Sequence, residues 1–213
     1  MNFKETLVKA GKRMLQSGLT VETWGNISVR DPETRRVYLT PSGMDYNICT
    51  EKDIVVCDLD GNILDGNRKP TIEKKLHLQI YLNRPEINVV IHTHPIYSKV
   101  FACTKKDIPL FIDEAAQTLG DVVRVADYAL PGSAELADNC VRALRGRANA
   151  CLLQSHGAVC VGEDIKMAFK VVKVLEMTAK LYYLTKQIGE PILITDSHIE
   201  EMQTFVQNEY GQQ

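Results

Sequence analysis

Apolar and polar residues follow two different rhythms along this chain. Over residues 2–17, Phe3, Leu7, Ala10, Met14 and Leu15 recur three or four apart, the spacing of a helix with one buried stripe. From Gly25 to Asp60 the rhythm shortens. Runs rich in β-branched residues, Ile27–Val29, Val37–Thr40 and Ile54–Leu59, are separated by Asp-Pro, Pro-Ser-Gly and Asp-Gly-Asn turn signals, which predicts the strands of a meander. Pro70-Thr71 then opens a helix through about Asn83 with Ile72, Leu76 and Ile80 on one face, and Arg84-Pro85 ends it.

Asn88–His94 holds Val89, Val90 and Ile91 in a run too short for a helix and strongly β-prone, closed by Pro95; it predicts an interior strand. Ser133, behind Pro131-Gly132, is placed to cap a helix carrying Leu136, Cys140 and Leu144 that Gly146 ends. Ala150–Val161 reads as a hairpin folded near His156-Gly157. Asp164 begins the longest helix, roughly to Ile188, before Gly189-Glu190-Pro191 stops it. Ser197 with Glu200 forms a capping box for a last helix with Ile199, Met202 and Val206. Helices and strands mix without regular βαβ alternation, and no linker or internal repeat interrupts them. The expected fold class is α/β, a single domain over residues 1–213 with a central, largely antiparallel sheet flanked by helices.

Composition narrows the functional classes. With 45% apolar and 24% charged residues the chain has the make-up of a globular protein, not of a disordered one. Lys and Arg total 25 against 27 Asp and Glu, a net charge of -2 spread along the sequence. No basic footprint for nucleic acid or an anionic membrane results, so the expected partner is a small molecule. No run approaches the roughly 18 apolar residues of a bilayer span, and the charged start is unlike a signal peptide. The six cysteines, Cys49, Cys57, Cys103, Cys140, Cys151 and Cys160, include no Cys-x-x-Cys pair and mostly lie in apolar runs. That usage fits a reducing cytoplasm and gives a thiolate metal site no support.

The chemistry concentrates in histidines. His92-Thr93-His94 ends the predicted strand, where period-two alternation turns both imidazoles to one side, about 7 Å apart and able to share an ion. The bland reading is two satisfied histidines at a strand end. Against it, neutral rings beside Val90 and Ile91 need partners, and a metal supplies one. His156, in LLQSHGAVCVG, again follows an apolar run and precedes a glycine that permits a sharp turn. Three histidines without a cysteine resemble a catalytic zinc site, in which three protein ligands leave a position for substrate; iron, nickel and copper also accept imidazole. Glu73 stands in the first turn of its helix, either as simple helix-end electrostatics or as a fourth ligand that becomes a general acid/base when displaced. His77, four residues on, competes as a ligand, but Leu76 and Leu78 beside it favour a core or supporting role. His198 reads as solvated. The loops Trp24-Gly25-Asn26-Ile27-Ser28 and Thr40-Pro41-Ser42-Gly43 have a composition that lets backbone N–H groups approach a phosphate, without matching a nucleotide-binding fingerprint.

Taken in order, GNISVR, LTPSG, KPTIE, the HTHP strand and the QSHG turn resemble the zinc-dependent class II aldolase family, typified by L-fuculose-1-phosphate aldolase and including L-ribulose-5-phosphate 4-epimerase. The resemblance runs over nearly the whole chain and implies that family's three-layer fold. It implies zinc ligands at His92, His94 and His156, with Glu73 at the position of the aldolase's catalytic glutamate, where the epimerase has aspartate. It further implies a phosphate held by Gly25, Asn26, Ser42, Gly43 and Thr71, and a homotetramer with sites between subunits. Two positions depart from the pattern. Ile72 replaces a second phosphate-binding serine, and Asp113 replaces a tyrosine presented from the neighbouring subunit. Tyr210 matches a C-terminal tyrosine used at the same cleft.

The expected function is therefore metal-dependent cleavage of a small phosphorylated sugar, a ketose 1-phosphate, to dihydroxyacetone phosphate and an aldehyde. Glu73 would move the proton at the carbon next to the carbonyl, with Tyr210 and Asp113 of another chain at the aldehyde oxygen. The alternatives are a phosphopentulose 4-epimerase or a phosphosugar decarboxylase on the same site. Outside enzymes, the alternative is a metal-free interaction module resembling the adducin head.

Overall fold

In this computed structural model, which describes residues 2–208, eight strands pair into one sheet. In chain order the elements are α1 (Phe3–Gln16), β1 (Asn26–Arg30), β2 (Val37–Leu39), β3 (Val55–Cys57), β4 (Ile63–Asp65), α2 (Lys74–Asn83), β5 (Val89–Thr93), α3 (Ile96–Thr104), α4 (Asp113–Leu119), β6 (Val125–Ala126), α5 (Ala134–Ala143), β7 (Ala150–Leu153), β8 (Gly157–Gly162), α6 (Ile165–Ile188) and α7 (Asp196–Asn208). The sheet runs β4-β3-β2-β1-β5-β8-β7-β6, antiparallel at every junction except β6 with β7. β1 to β3 are the expected meander, which β4 extends by one strand. β5 is the expected interior strand, flanked by β1 and β8.

Period-two alternation splits the core between the two faces of the sheet. Val89, Ile91, Ala150, Leu152, Ala158 and Cys160 pack with α1, α3, α4, α6 and α7. Val90, Cys151, Leu153, Val159 and Val161 face the other way, against α2 and α5. Strands buried on both faces read as unbroken apolar runs, which is why β5 and β8 stood out in the sequence. No helix among the described residues is long and apolar enough to cross a membrane.

The helix starts follow local capping chemistry. Asn2 accepts from the Glu5 amide at 3.2 Å, Ser133 from Leu136 at 3.1 Å and Asp164 from Met167 at 2.7 Å. Two expectations need correction. The helix expected from Pro70 begins at Lys74. Its leading residues are bound as extended chain to the loop after β2: Thr71 N–H donates to Thr40 C=O at 3.2 Å, and Pro70 bridges Pro41. Ile72, expected on the buried face, is consequently 64% exposed. The last helix begins at Asp196, one residue before the supposed cap Ser197, and its capping hydroxyl belongs to Thr195, which accepts from His198 N–H at 3.4 Å.

Four elements were not anticipated, because their side chains carry no clean period. Ile96 and Val100 leave α3 without a pure apolar stripe, all three residues of β4 are exposed, and β6 has two residues. The short α4 begins at Asp113.

Asp164→Ala should lower the unfolding free energy by about 1 kcal/mol through loss of the α6 cap. Chemical denaturation checks this; an unchanged midpoint would show that the Asp164 carboxylate contributes nothing there.

Candidate metal centre

β5 ends inside the sheet with His92 on the α2 side, opposite Val159 of β8. Thr93 points the other way and donates to Leu19 C=O, as does the His94 N–H at 2.9 Å. This pair of bonds fixes the chain as it leaves the strand. His156 sits in the turn between β7 and β8. The three rings meet edge-on, their centroids 4.8, 4.7 and 5.1 Å apart, and one nitrogen from each lies within 4.8 Å of the others. Gly157 makes that approach possible. A Cβ there would stand 2.5 Å from Thr93 O, 2.9 Å from His94 Cδ2 and 3.1 Å from His92 Cε1.

The hydrogen bonds decide which nitrogens are free. His92 Nδ1–H donates to Ala158 C=O at 3.0 Å, so in the neutral ring Nε2 holds a lone pair. That Nε2 faces His94 Nε2 at 2.9 Å and Glu73 Oε2 at 3.2 Å. Glu73 Oε1 lies 3.8 Å from His156 Nε2 and is buried without a hydrogen-bond partner. Imidazole nitrogens and a carboxylate oxygen converging with too few protons between them form a donor set for a divalent transition metal. His92, His94, His156 and Glu73 are the residues that can hold one.

Burial sets the protonation of this cluster. It pushes His94 down to about 3 and His156 down to about 4, helped in both by the electrostatic influence of the adjoining His92 ring. Burial alone would raise Glu73, but His92, the Asn26 amide, His156 and His77 outweigh it and hold the carboxyl below its ordinary value. The folded site therefore keeps His94 and His156 neutral beside an ionised carboxylate.

Behind Glu73 runs a buried polar chain. Asn26 Nδ2 donates to Glu73 Oε2 at 2.9 Å, and its Oδ1 accepts from His77 Nε2–H at 2.5 Å. His77 Nδ1 must then accept, from Ser28 Oγ–H at 2.6 Å, and Ser28 accepts from the Tyr81 hydroxyl at 2.6 Å. His77 is fully buried and pushed down to about 3, so it stays neutral. Glu73, His77 and Tyr81 recur four apart on α2, against Asn26 and Ser28 two apart on β1. His77 is thus a supporting residue, and Asn26, expected near a phosphate, spends its side chain orienting Glu73.

The four candidate ligands line a cleft of about 490 Å³, together with Gly25, Ser42, Gly43, Thr71 and Ile72. The structure thus brings both glycine loops and Thr71 to the same cavity. Asp113 is exposed at the start of α4 and does not line the cleft of its own chain. Tyr210 lies outside the described residues. His198 is exposed, as expected. Thr23, Lys99 and Ser155 are lining residues the sequence did not single out; Lys99 rides on the unanticipated α3, and Ser155 is a turn residue whose positive φ of 57° the sequence does not announce.

Residues 5–183 match the family model described as Class II Aldolase and Adducin N-terminal domain. The chain is 38% identical over 210 residues to a 5-deoxy-D-ribulose 1-phosphate aldolase of Bacillus thuringiensis serovar kurstaki, covering 99% of this chain and 97% of that protein. It is 35% identical over 200 residues to a 5-methylthioribulose-1-phosphate/5-deoxyribulose-1-phosphate aldolase of Rhodospirillum rubrum, covering 94% and 89%. A solved structure of an L-fuculose 1-phosphate aldolase superposes with a TM-score of 0.93 at 39% identity, covering 96% of each chain.

The buried neutral rings make stability depend on pH with a definite sign. In the unfolded chain each histidine takes up a proton near pH 6.5. In the folded chain His77 and His94 do so only near 3, and His156 near 4. Protons therefore favour the unfolded state throughout that interval. The melting temperature of metal-free protein should fall steadily from pH 7 to pH 4.5; a flat or rising profile would contradict the neutral rings.

Proposed function

Since the chain belongs to the class II aldolase and adducin N-terminal domain family, we propose that it is a zinc-dependent aldolase cleaving a ketose 1-phosphate to dihydroxyacetone phosphate and a short aldehyde. The observation that carries this reading is the convergence of His92, His94 and His156 on the ionised Glu73 at the floor of a cleft. An adducin-like binding module has no use for such a cluster. The named activity of the two relatives that span nearly all of this chain, on 5-deoxyribulose 1-phosphate, makes a 5-deoxypentulose 1-phosphate the first substrate to try.

Zinc held by the three histidines, an all-imidazole set that suits it, would supply a Lewis acid toward the carbonyl end of the substrate. The remaining work falls to the chain's own groups. Glu73 takes the proton from the hydroxylated carbon of dihydroxyacetone phosphate in condensation and returns it there after cleavage. Asn26, locked through its amide, keeps Oε2 turned toward His92 while Oε1 stays free to reach that carbon. The Gly25 and Gly43 backbone with the hydroxyls of Ser42 and Thr71 receives the phosphate. Apolar Ile96, two residues after His94, and Leu130, next to Pro131, are 73% and 69% exposed, surface that a homotetramer with sites between subunits would cover.

Metal-loaded protein should release dihydroxyacetone phosphate from 5-deoxyribulose 1-phosphate or L-fuculose 1-phosphate, read by its coupled reduction with NADH. Release from neither, with carbon dioxide evolved from a 3-oxo acid phosphate instead, would replace the aldolase by a decarboxylase. Glu73→Gln should retain metal while turnover falls by about 10²–10⁴-fold. His92→Ala should lose the metal itself, measured by elemental analysis; full zinc occupancy there would remove His92 from the ligand set.

A further inference from the structure

The cleft has two walls, and they differ in charge. The first is knit from the stretches around residues 25, 41 and 71. Ile27 N–H donates to Thr40 Oγ1 at 3.1 Å, Thr71 N–H to Thr40 C=O at 3.2 Å and Ser42 N–H to Lys69 C=O at 2.9 Å. It offers backbone amides and hydroxyls, with Glu73 at its foot. The second wall is α3 with the turn before His156, joined by Ser155 N–H to Ala102 C=O at 3.2 Å. Its lining side chains are Lys99 and Ser155.

Lys99 is half-buried, and its ammonium makes no hydrogen bond or ion pair with a described residue. Histidines apart, it is the only basic side chain among the described residues that line the cleft. It rides on α3, which begins two residues after His94, and lines the cleft together with His94 and His156. The helix beneath it is fixed. Glu176 of α6 accepts from Tyr97 N–H and from the N–H and hydroxyl of Ser98, each at 2.8 Å. That carboxylate is thereby engaged with the first turn of α3.

A ketose 1-phosphate has three anchoring demands in such a cleft. Its phosphate belongs on the wall of amides and hydroxyls, and the carbon that exchanges a proton belongs over Glu73. The oxygen on the departing carbon is then directed to the second wall. In condensation that oxygen gains negative charge as the carbon–carbon bond forms, and an ammonium favours that charge more than a hydroxyl does.

Resting on the aldolase reading above, we propose that Lys99 binds the aldehyde oxygen through its ammonium, setting the acceptor's orientation against the carbon over Glu73. Lys99 donates a hydrogen bond and keeps its proton.

Condensation kinetics of the metal-loaded enzyme test this with dihydroxyacetone phosphate and acetaldehyde varied in turn. Lys99→Met should reduce kcat/KM for acetaldehyde by about 10²-fold. Its metal content, and its affinity for dihydroxyacetone phosphate by calorimetry, should stay those of the unsubstituted enzyme. Lys99→Gln, a second neutral variant, should show a loss of the same order, and Lys99→Arg should recover part of it. Lost affinity for dihydroxyacetone phosphate would overturn the proposal by placing Lys99 on the phosphate. Unchanged acetaldehyde kinetics in both neutral variants would overturn it as well. Unsubstituted enzyme that binds metal and dihydroxyacetone phosphate yet condenses no aldehyde would overturn the aldolase reading itself, before any variant is measured.

Discussion

Imidazole nitrogens and a carboxylate oxygen crowded together with fewer protons than contacts are the constraint on which this structure turns. The Nδ1 proton of His92 is committed to Ala158, while its Nε2 stands 2.9 Å from a second imidazole nitrogen and 3.2 Å from a carboxylate oxygen. Protonating the rings would relieve the repulsion, but burial pushes His94 and His156 down to about 3 and about 4. A shared cation would relieve the crowding of all four groups at once. The scaffold that imposes this crowding is stiff. β5 is paired on both edges, and the approach of β8 is so close that only a hydrogen fits at the α-carbon of residue 157.

Glu73 belongs to the same constraint through a chain of hydrogen bonds with one possible direction. An amide oxygen can only accept, so Asn26 Oδ1 fixes the His77 tautomer, and that tautomer obliges Ser28 to donate. The amide nitrogen is thereby turned to Glu73. Helix and strand periodicities mesh to allow this: positions 73, 77 and 81 on α2 meet positions 26 and 28 on β1. A neutral histidine suits the task, since a charged ring would donate at both nitrogens and break the link to Ser28.

How far the sequence disclosed this can be judged residue by residue. Val89, Val90 and Ile91 announced a central strand because both faces of β5 are covered, and the alternation across that strand was enough to aim His92 and His94 together. His156 and Glu73 were candidates from their places at a turn and in a helix's first turn, and the family likeness joined them to His92 and His94, since separation along the chain conceals their meeting. What escaped was governed by contacts remote in sequence. Ser197 and Glu200 satisfied a capping pattern, but nothing local says that Thr195 is the residue outside the helix. The start of α2 was misplaced for a similar reason: the Thr71 amide is taken by Thr40, thirty-one positions earlier. Lys99 passed unnoticed because α3 lacks an apolar stripe, its exposed Ile96 and Val100 interrupting the period.

The late start of α2 is more than a shift of boundary. A helix beginning at Pro70 would bury Glu73 in its first turn. As it stands, Glu73 occupies the N-cap position and its side chain makes no capping bond. The positive end of the helix dipole is therefore open toward the carboxylate without tethering it, and it favours the ionised form that the histidines also favour. A serine or aspartate cap would bind the amides of α2 more firmly and would stabilise the helix by about 1 kcal/mol. That stabilisation is forgone where the proposed chemistry needs a carboxylate held at one oxygen and free at the other. Pro70 and Thr71, bound to the stretch around Thr40 and Pro41, and the turn at Ile72 and Glu73 that follows them position the acid that a regular helix would have fixed in place.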